Sequence, residues 1–292
     1  MQVVAHVLPE NEEAQRAWDG VLFDRFLRFR HLIGSSLALH GAAALTAFPP
    51  REGDRVVDLG CGLGDTTLQL AELVGPSGTA LGVDIAPRFI EAAEADAREL
   101  AVANARFEVA DVQATTFADT FDYAFSRFGT MFFASPVAAL RNVHAALAPG
   151  GQLCSVVWRR REDNEWMYRA EQVVKPLVEI PEETDEARCG PGPFSMANAD
   201  TASAIHQAAG FVDVAFHRRD LPLKIGATID EAIDFNLALG PAAEAVRLAG
   251  DEGESMRPKL AALLREALAG LVTPAGVFGA SSVWIITARR AD

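Results

Sequence analysis

The run Val56-Val57-Asp58-Leu59-Gly60-Cys61-Gly62-Leu63-Gly64 decides the reading of the chain, because a short apolar strand passes directly into three alternate glycines. Glycines in such a turn let the backbone bend tightly and let a ligand come close, and the helix that follows offers unpaired amides at its N-terminus. That helix runs from about Asp65 or Thr66 to Val74 and is closed by Gly75 and Pro76. A strand-to-helix turn needs glycine for structural reasons too, so the loop alone does not establish a site.

The neighbouring sequence repeats the alternation. Thr79 to Val83 reads as a second strand, and Pro87 opens a helix with Ile90, Ala93, Ala97 and Leu100 as its buried stripe. Arg106 to Val109, Phe121 to Phe125 and Gln152 to Val157 read as the third, fourth and fifth strands. Between the last two, Ser135 is expected to cap a helix with Pro136 at its first position, its apolar face being Val137, Leu140, Val143 and Leu147. Strands and helices at this spacing imply right-handed crossovers and a parallel sheet covered on both faces.

The flanks have a different character. Residues 11 to 47 read as helical, with Trp18, Leu22, Phe26, Phe29 and Ile33 recurring at helical spacing and Arg25, Arg28, Arg30 and His31 interleaved. This segment is either a lid over an anionic ligand group or a helix packed on the main domain with its arginines in water. Residues 159 to 193 form a charged, then Pro/Gly-rich excursion. Asp200 to Ala209 reads as a helix, Val212 to Phe216 as an alternating strand, about 230–239 and 258–269 as further helices, and Val283 to Thr287 as the last strand. The expected organisation is an N-terminal helical cover over residues 1–48 and an α/β domain over 49–292, with the excursions at 159–193 and 227–270 placed to form a lid or to cover the sheet.

Asp84 lies 20 residues after Gly64 and closes the second strand, where a carboxylate can accept hydrogen bonds from two vicinal ribose hydroxyls in the crevice at the strand ends. Its structural alternative is a cap for the helix at Pro87. Nicotinamide cofactors use the same geometry through G-x-G-x-x-G, whereas here residue 65 is Asp and the third glycine comes one position early. Asp65 would stand close to a pyrophosphate. A nucleoside carrying a sulfonium and an amino acid, with no phosphate, suits Asp58 and Asp65 better.

Composition narrows the partners. Lys and Arg total 26 against 40 Asp and Glu, a formal charge of −14 that opposes nucleic acid and anionic membrane surfaces. The three cysteines, Cys61, Cys154 and Cys189, are too scattered for a disulfide framework or a four-ligand zinc site, and no metal is expected. The sequence shows no secretion signal and no membrane-length apolar run, which gives a cytoplasmic expectation. Oligomeric state is not legible.

On these residues the chain resembles the class I S-adenosylmethionine-dependent methyltransferases, in particular the bacterial small-molecule and ubiquinone-biosynthesis-like group. Val56 to Gly64 resembles the first motif, Gly82-Val83-Asp84-Ile85 the second, and Phe107 to Val112 the segment that brackets adenine. Phe121 to Phe128 resembles the fourth-strand motif and Leu147 to Leu153 the turn before the fifth strand. The resemblance implies a Rossmann-like seven-stranded sheet in order 3-2-1-4-5-7-6 with only the seventh strand antiparallel. It implies S-adenosylmethionine as cofactor, S-adenosylhomocysteine as product, and methyl transfer to O, N or C of a small organic acceptor. The cofactor residues it implies are Asp58, Gly60, Cys61, Gly62, Gly64 and Thr66 around the loop. Asp84, Ile85, Asp111 and Val112 follow from the next two strands, with Asp111 toward the adenine amine, and Ser126 and Arg127 from the fourth.

The substrate is less legible. Phe128, Met131, Phe132 and Trp158, with Phe23, Phe26 and Phe133, are candidate apolar walls, and Arg127 and His31 a polar rim. Among the six histidines, His31 and His40 in the covering segment are the better candidates to remove a proton, with Arg127 a further catalytic candidate, while His144 and His206 read as structural. A non-catalytic S-adenosylmethionine-binding protein of the same fold is the alternative from another class.

Overall fold

The computed structural model describes residues 7–178 and 190–291, so His6 and Cys189 lie outside the described residues. Its strands are β1 (Arg55–Leu59), β2 (Thr79–Asp84), β3 (Ala105–Val109), β4 (Phe121–Arg127), β5 (Leu147–Trp158), β6 (Val212–Gly226), β7 (Val272–Thr273) and β8 (Gly276–Arg289). They join in the order β3-β2-β1-β4-β5-β8-β6, with the two-residue β7 paired to β8 outside that path. β8 runs antiparallel to both β5 and β6, while β1 to β5 are mutually parallel. This is the expected order, the expected seventh strand being β8. The central strands are nearly continuous apolar runs because helices cover both faces: Val56, Val57, Leu59, Val83, Ala124 and Phe125 are all buried.

The first four strands lie within a few residues of their expected limits; β5 begins already at Leu147, which was expected on the preceding helix but is extended, and β6 and β8 reach well beyond their limits, to 15 and 14 residues. Their extension pairs Leu221 with Ser281 and Gly226 with Val277. Arg218, Arg219, Asp220 and Pro222 hide it from a search for alternation. Pro222 is tolerated because β6 is the edge strand of the path, where a missing N–H need not break a ladder.

The crossovers are α5 (Asp65–Val74), α6 (Pro87–Glu99) and α7 (Pro136–Ala146). Pro136 does open α7, but the Ser135 side chain makes no capping bond. Its backbone N–H instead donates to Gln113 Oε1 at 2.5 Å.

The N-terminal segment is helical in pieces rather than continuous: α1 (Glu12–Ala17), α2 (Phe23–Arg28), α3 (Arg30–Leu32) and α4 (Ala38–Ala47), joined by π-helical turns at Trp18–Leu22 and Ile33–Leu37. Each turn contains a glycine, and Gly20 leaves helical geometry altogether at φ −100°, ψ −117°. This segment is seated on the start of α6: Arg88 N donates to Asp19 Oδ1 at 2.7 Å, and Phe23 packs edge-on against Phe89 with ring centroids 5.1 Å apart.

The excursion after β5 contains α8 (Glu165–Val174), and α9 (Ala199–Ala208) precedes β6. The insert between β6 and β7 supplies α10 (Ile229–Asn236), α11 (Pro241–Leu248), α12 (Gly250–Ser255) and α13 (Arg257–Leu268). Trp166 and Met167 of α8, Phe235 of α10 and Leu260, Leu264 and Leu268 of α13 are buried in one apolar cluster with the helical face of the sheet. No helix among the described residues is long and apolar enough to cross a membrane.

One buried polar contact ties α4 to the β6–β8 extension. His40 is fully buried with Nε2 2.7 Å from Ser281 Oγ, and Ser281 donates its own hydroxyl proton to Leu221 O. Ser281 is therefore the acceptor, and Nε2 carries the imidazole proton. Burial, reinforced by the charge of Arg219, pulls the His40 pKa down to about 4. The folded chain refuses a proton that the unfolded chain takes near pH 6.5, so this contribution is complete above that pH and is lost as pH falls toward 4. His40→Gln should narrow the loss of unfolding free energy between pH 7 and 4 by about 3 kcal/mol relative to the parent. Denaturant titrations at the two pH values measure the difference, and parallel losses would contradict it.

Candidate active site

The three loop glycines all take positive φ, at 67° for Gly60, 54° for Gly62 and 81° for Gly64, for different reasons. A Cβ on Gly64 would stand 2.6 Å from Ala93 Cβ and 2.9 Å from the Phe107 ring, so this glycine exists to let α5 pass close to α6 and β3. A Cβ on Gly62 would meet nothing nearer than Phe89 at 3.9 Å. Gly62 is the open position, and it faces a cavity.

Asp84 holds this loop. Its Oδ2 accepts the Gly62 N–H at 2.9 Å and its Oδ1 accepts the Ala86 N–H at 3.0 Å, so it fastens the glycine turn to the entry of α6. An ionised carboxylate can accept about four hydrogen bonds, leaving capacity for two hydroxyl donors. Burial raises its pKa, opposed by the backbone N–H groups of Ala86, Gly62 and Ile85. Asp58 is more deeply set: 1% exposed, it accepts the Thr67 hydroxyl at 2.8 Å, and burial lifts its pKa to about 7 against that bond and the charge of Arg127. Asp65, the first residue of α5, is paired with Arg127 Nη2 at 2.7 Å. That pair offsets part of the repulsion Asp65 would exert on a phosphate. Cys61 is buried, and burial, with Asp84 and Asp58 nearby, raises its thiol pKa, so it fills space as a neutral thiol.

Asp111 is also buried, and the N-terminal segment claims it: Oδ2 accepts Asn11 Nδ2 at 2.7 Å and Leu8 N at 3.1 Å, while Oδ1 accepts Gln113 N at 3.0 Å. Gln15 Nε2 donates to Ile85 O at 2.9 Å beside it. The cover is thus bonded to the ends of both strands that flank the crevice.

The cavity measures about 570 Å³. Asp58, Gly60, Cys61, Gly62 and Thr66 line it from the loop, and Asp84, Ile85, Asp111 and Val112 from the ends of β2 and β3. Arg127, Phe128, Met131 and Phe132 follow β4, and Phe26 and Phe133 also reach it. Trp158 ends β5 with its ring stacked on Phe128, centroids 4.2 Å apart and tilted by 17°. Phe128 takes φ +61°, a strained conformation for an aromatic residue, and its ring lies against the cavity.

Five expected residues fall elsewhere. Gly64 is turned into the α5–α6 packing. Ser126 is fully buried with its hydroxyl donated to Leu59 O at 2.7 Å, because alternation along β4 turns it away from the face that carries Arg127. His31 is exposed and paired with Glu231 at 2.8 Å. His40 is the structural histidine described above, and Phe23 is packed between Leu63 and Phe89. No histidine lines the cavity among the described residues, and none of their His, Cys, Asp and Glu groups is arranged to hold a metal.

The sequence reading missed the opposite wall. Trp18 from the cover, Trp166 and Met167 from α8, and Phe235 from α10 complete the enclosure, with Trp166 and Phe235 stacked at 5.5 Å. Leu239 and Leu248 border α11 there. Gln113 was also missed, although it follows Asp111 and Val112 by sequence and lines the same cavity.

A parallel sheet in this order, with one antiparallel strand and a glycine loop closed by the acid at the end of β2, defines the class of Rossmann-like S-adenosylmethionine-dependent methyltransferases. A family model described as "Methyltransferase domain" matches residues 50–198, and the chain belongs to that family. It is 36% identical over 105 residues to aklanonic acid methyltransferase DauC of Streptomyces sp. (strain C5), covering 36% of this chain and 48% of that protein. It is 31% identical over 104 residues to demethylmenaquinone methyltransferase of Geobacillus sp. (strain WCH70), covering 35% and 44%. The chain thus spans about half the length of these curated relatives or less. In fold it is similar to a putative methyltransferase from Bacillus halodurans C-125, with TM-score 0.53, 16% identity and coverage of 89% and 100%. It is also similar to phosphoethanolamine N-methyltransferase 2 of Haemonchus contortus, with TM-score 0.57, 15% identity and coverage of 98% and 61%.

The residues present fit S-adenosylmethionine. The open face at Gly62, the spare acceptor capacity of Asp84 and the acidic lining from Asp58 and Asp65 match a cationic nucleoside. Gly62→Val should carry the backbone strain of φ +54° without overpacking the fold, and should weaken S-adenosylhomocysteine binding to the folded variant tenfold or more in calorimetry. Gly64→Ala should instead lower unfolding free energy by roughly 2 kcal/mol or more through overpacking and backbone strain. The reverse pattern would exchange the roles assigned to these glycines.

Proposed function

We propose that the chain transfers the methyl group of S-adenosylmethionine to O, N or C of a small, flat, largely apolar acceptor bound between Trp158, Trp166, Phe235 and the N-terminal cover. The observation that carries this reading is that the glycine loop and the aromatic wall border one cavity. The named relatives act on aklanonic acid and on demethylmenaquinone, which supports an acceptor of this class.

S-Adenosylmethionine supplies an activated methyl on a sulfonium, and the chain's own contribution is to align and dehydrate the reacting groups. Asp84 takes the ribose hydroxyls, and Gly62 leaves the room that their approach requires. Asp58 and Asp65 favour the cationic end, with Arg127 fixing Asp65. The Phe128–Trp158 stack fixes a flat surface beside the loop, against which an aromatic acceptor is held by stacking and exclusion of water. The carboxylates on the acceptor side are engaged, Glu171 with Arg161 and Lys175 and Glu244 with Arg247. No histidine lines the cavity among the described residues, so an acceptor acidic enough to bind already ionised is the kind this site serves.

The test is transfer of radiolabelled methyl from S-adenosylmethionine across phenols, hydroxylated polycyclic acids, quinols, amines, tRNA and protein. Transfer to one of the first three groups is expected, with kcat/KM depending on the acceptor's ionisation, and Asp84→Asn should reduce it at least tenfold through weaker donor binding, roughly the value of a charge-assisted hydrogen bond. Turnover confined to tRNA or protein would overturn the acceptor class. Donor binding without transfer to any acceptor would favour a non-catalytic binding protein.

A further inference from the structure

The charge lining the cavity is divided. On the glycine-loop side stand Asp58, Asp65, Asp84 and Asp111 with Arg127 as the cation among them. On the wall built by α2, α8, α11 and the turn before α8 stand Arg25, Arg161 and Lys175 with Glu171 and Glu244, the latter paired with Arg247 at 2.9 Å. Glu171 is 2% exposed, and a single oxygen, Oε1, accepts from both Arg161 Nη1 and Lys175 Nζ, the latter at 2.6 Å. Arg161 also lies over the Phe194 ring at 5.0 Å.

Among the described residues, one buried carboxylate facing two cations leaves a local charge of +1. It also leaves donors in hand: a guanidinium has five N–H groups and an ammonium three, and Glu171 takes one from each. Both cationic side chains remain about half exposed, at 41% and 53%, so these donors are accessible at the cavity. Arg25 adds a third cation from the cover, with Nη1 donating to Ala238 O at 3.3 Å, and burial followed by repulsion from Arg257 and Arg247 lowers its pKa. The aromatic residues Trp158, Trp166 and Phe235 border the same cavity and offer no charge of their own.

We propose that Arg161 and Lys175, held in place by the buried carboxylate of Glu171, receive a carboxylate carried by the acceptor. The inference rests on the proposed acceptor class and narrows it to aromatic acids. The field across the cavity orients such a molecule, since its anion is drawn to the α8 wall and repelled by the net negative charge of the loop side, where Arg127 offsets Asp65. Arg161 supplies a planar fork and Lys175 a point charge, a combination suited to one carboxylate on a flat body. If the Arg161–Glu171–Lys175 cluster served only to fasten α8, the charge of a bound ligand would be immaterial.

The discriminating experiment is calorimetric titration of the S-adenosylhomocysteine-saturated full chain with 2-naphthoate and with its uncharged isostere 2-naphthamide. Naphthoate should bind roughly tenfold or more tightly than the amide at low salt, and the preference should shrink at high salt. Lys175→Gln and Arg161→Gln should each remove most of the preference while leaving amide affinity unchanged. Equal affinities in the parent, binding of neither probe, or a preference that survives both substitutions would overturn the proposal. Saturation with S-adenosylhomocysteine and methyl transfer to other acceptors are read separately, so a failure of the methyltransferase reading shows itself as loss of those signals.

Discussion

The hydrogen bond from Gly62 N–H to the carboxylate of Asp84 fixes the relation on which the rest of the site depends. It joins the turn after β1 to the end of β2, strands already in register with Leu59 opposite Val83, and so sets the floor of the cavity between two neighbouring strand ends. The same carboxylate, through Ala86 N–H, aims the entry to α6, on which Phe89 and Arg88 receive the N-terminal cover. One acidic side chain thereby couples the sheet, the loop and the cover. Its placement at the carboxyl ends of parallel strands is where open α/β sheets bind ligands.

The cover and the inserted helices close what the sheet leaves open. Trp18 meets Phe26 and Phe132 edge-on at 5.6 and 4.9 Å, while Trp166 and Phe235 stack from the opposite side. Asn11 and Gln15 bond the cover to Asp111 and Ile85 at the strand ends. In this arrangement the Asp111 carboxylate is bonded to the cover through Asn11 and Leu8. We propose the division into a cover and an α/β domain with this seam between them.

The fold was legible wherever local pattern and tertiary role coincide. β1 to β5 and their crossover helices follow from apolar runs, proline starts and glycine stops, and the loop with Asp84 follows from its spacing. Legibility failed where contacts cross long stretches of sequence. His31 looked catalytic because it sits among arginines near aromatics, yet the helix turns it outward to Glu231, 200 residues away. Ser126 and Arg127 are adjacent, and only the two-residue period of β4 sends one into the sheet and the other to the cavity. Trp166 and the Arg161–Glu171–Lys175 group fall in the stretch read only as a charged excursion, and Phe235 in a helix with no assigned role, because what makes them a wall is the packing of α8 against α10, α11 and α13. For Gln113 a usable signal existed in its position directly after Asp111 and Val112.

The central claim is that the loop and its acid are built for a nucleoside without phosphate. Side-by-side calorimetry of the parent chain with S-adenosylhomocysteine and with NADH tests it most directly. S-Adenosylhomocysteine should bind with a dissociation constant on the order of micromolar and raise thermal stability accordingly, and NADH should bind at least a hundredfold more weakly. Equal or tighter binding of NADH would contradict the account.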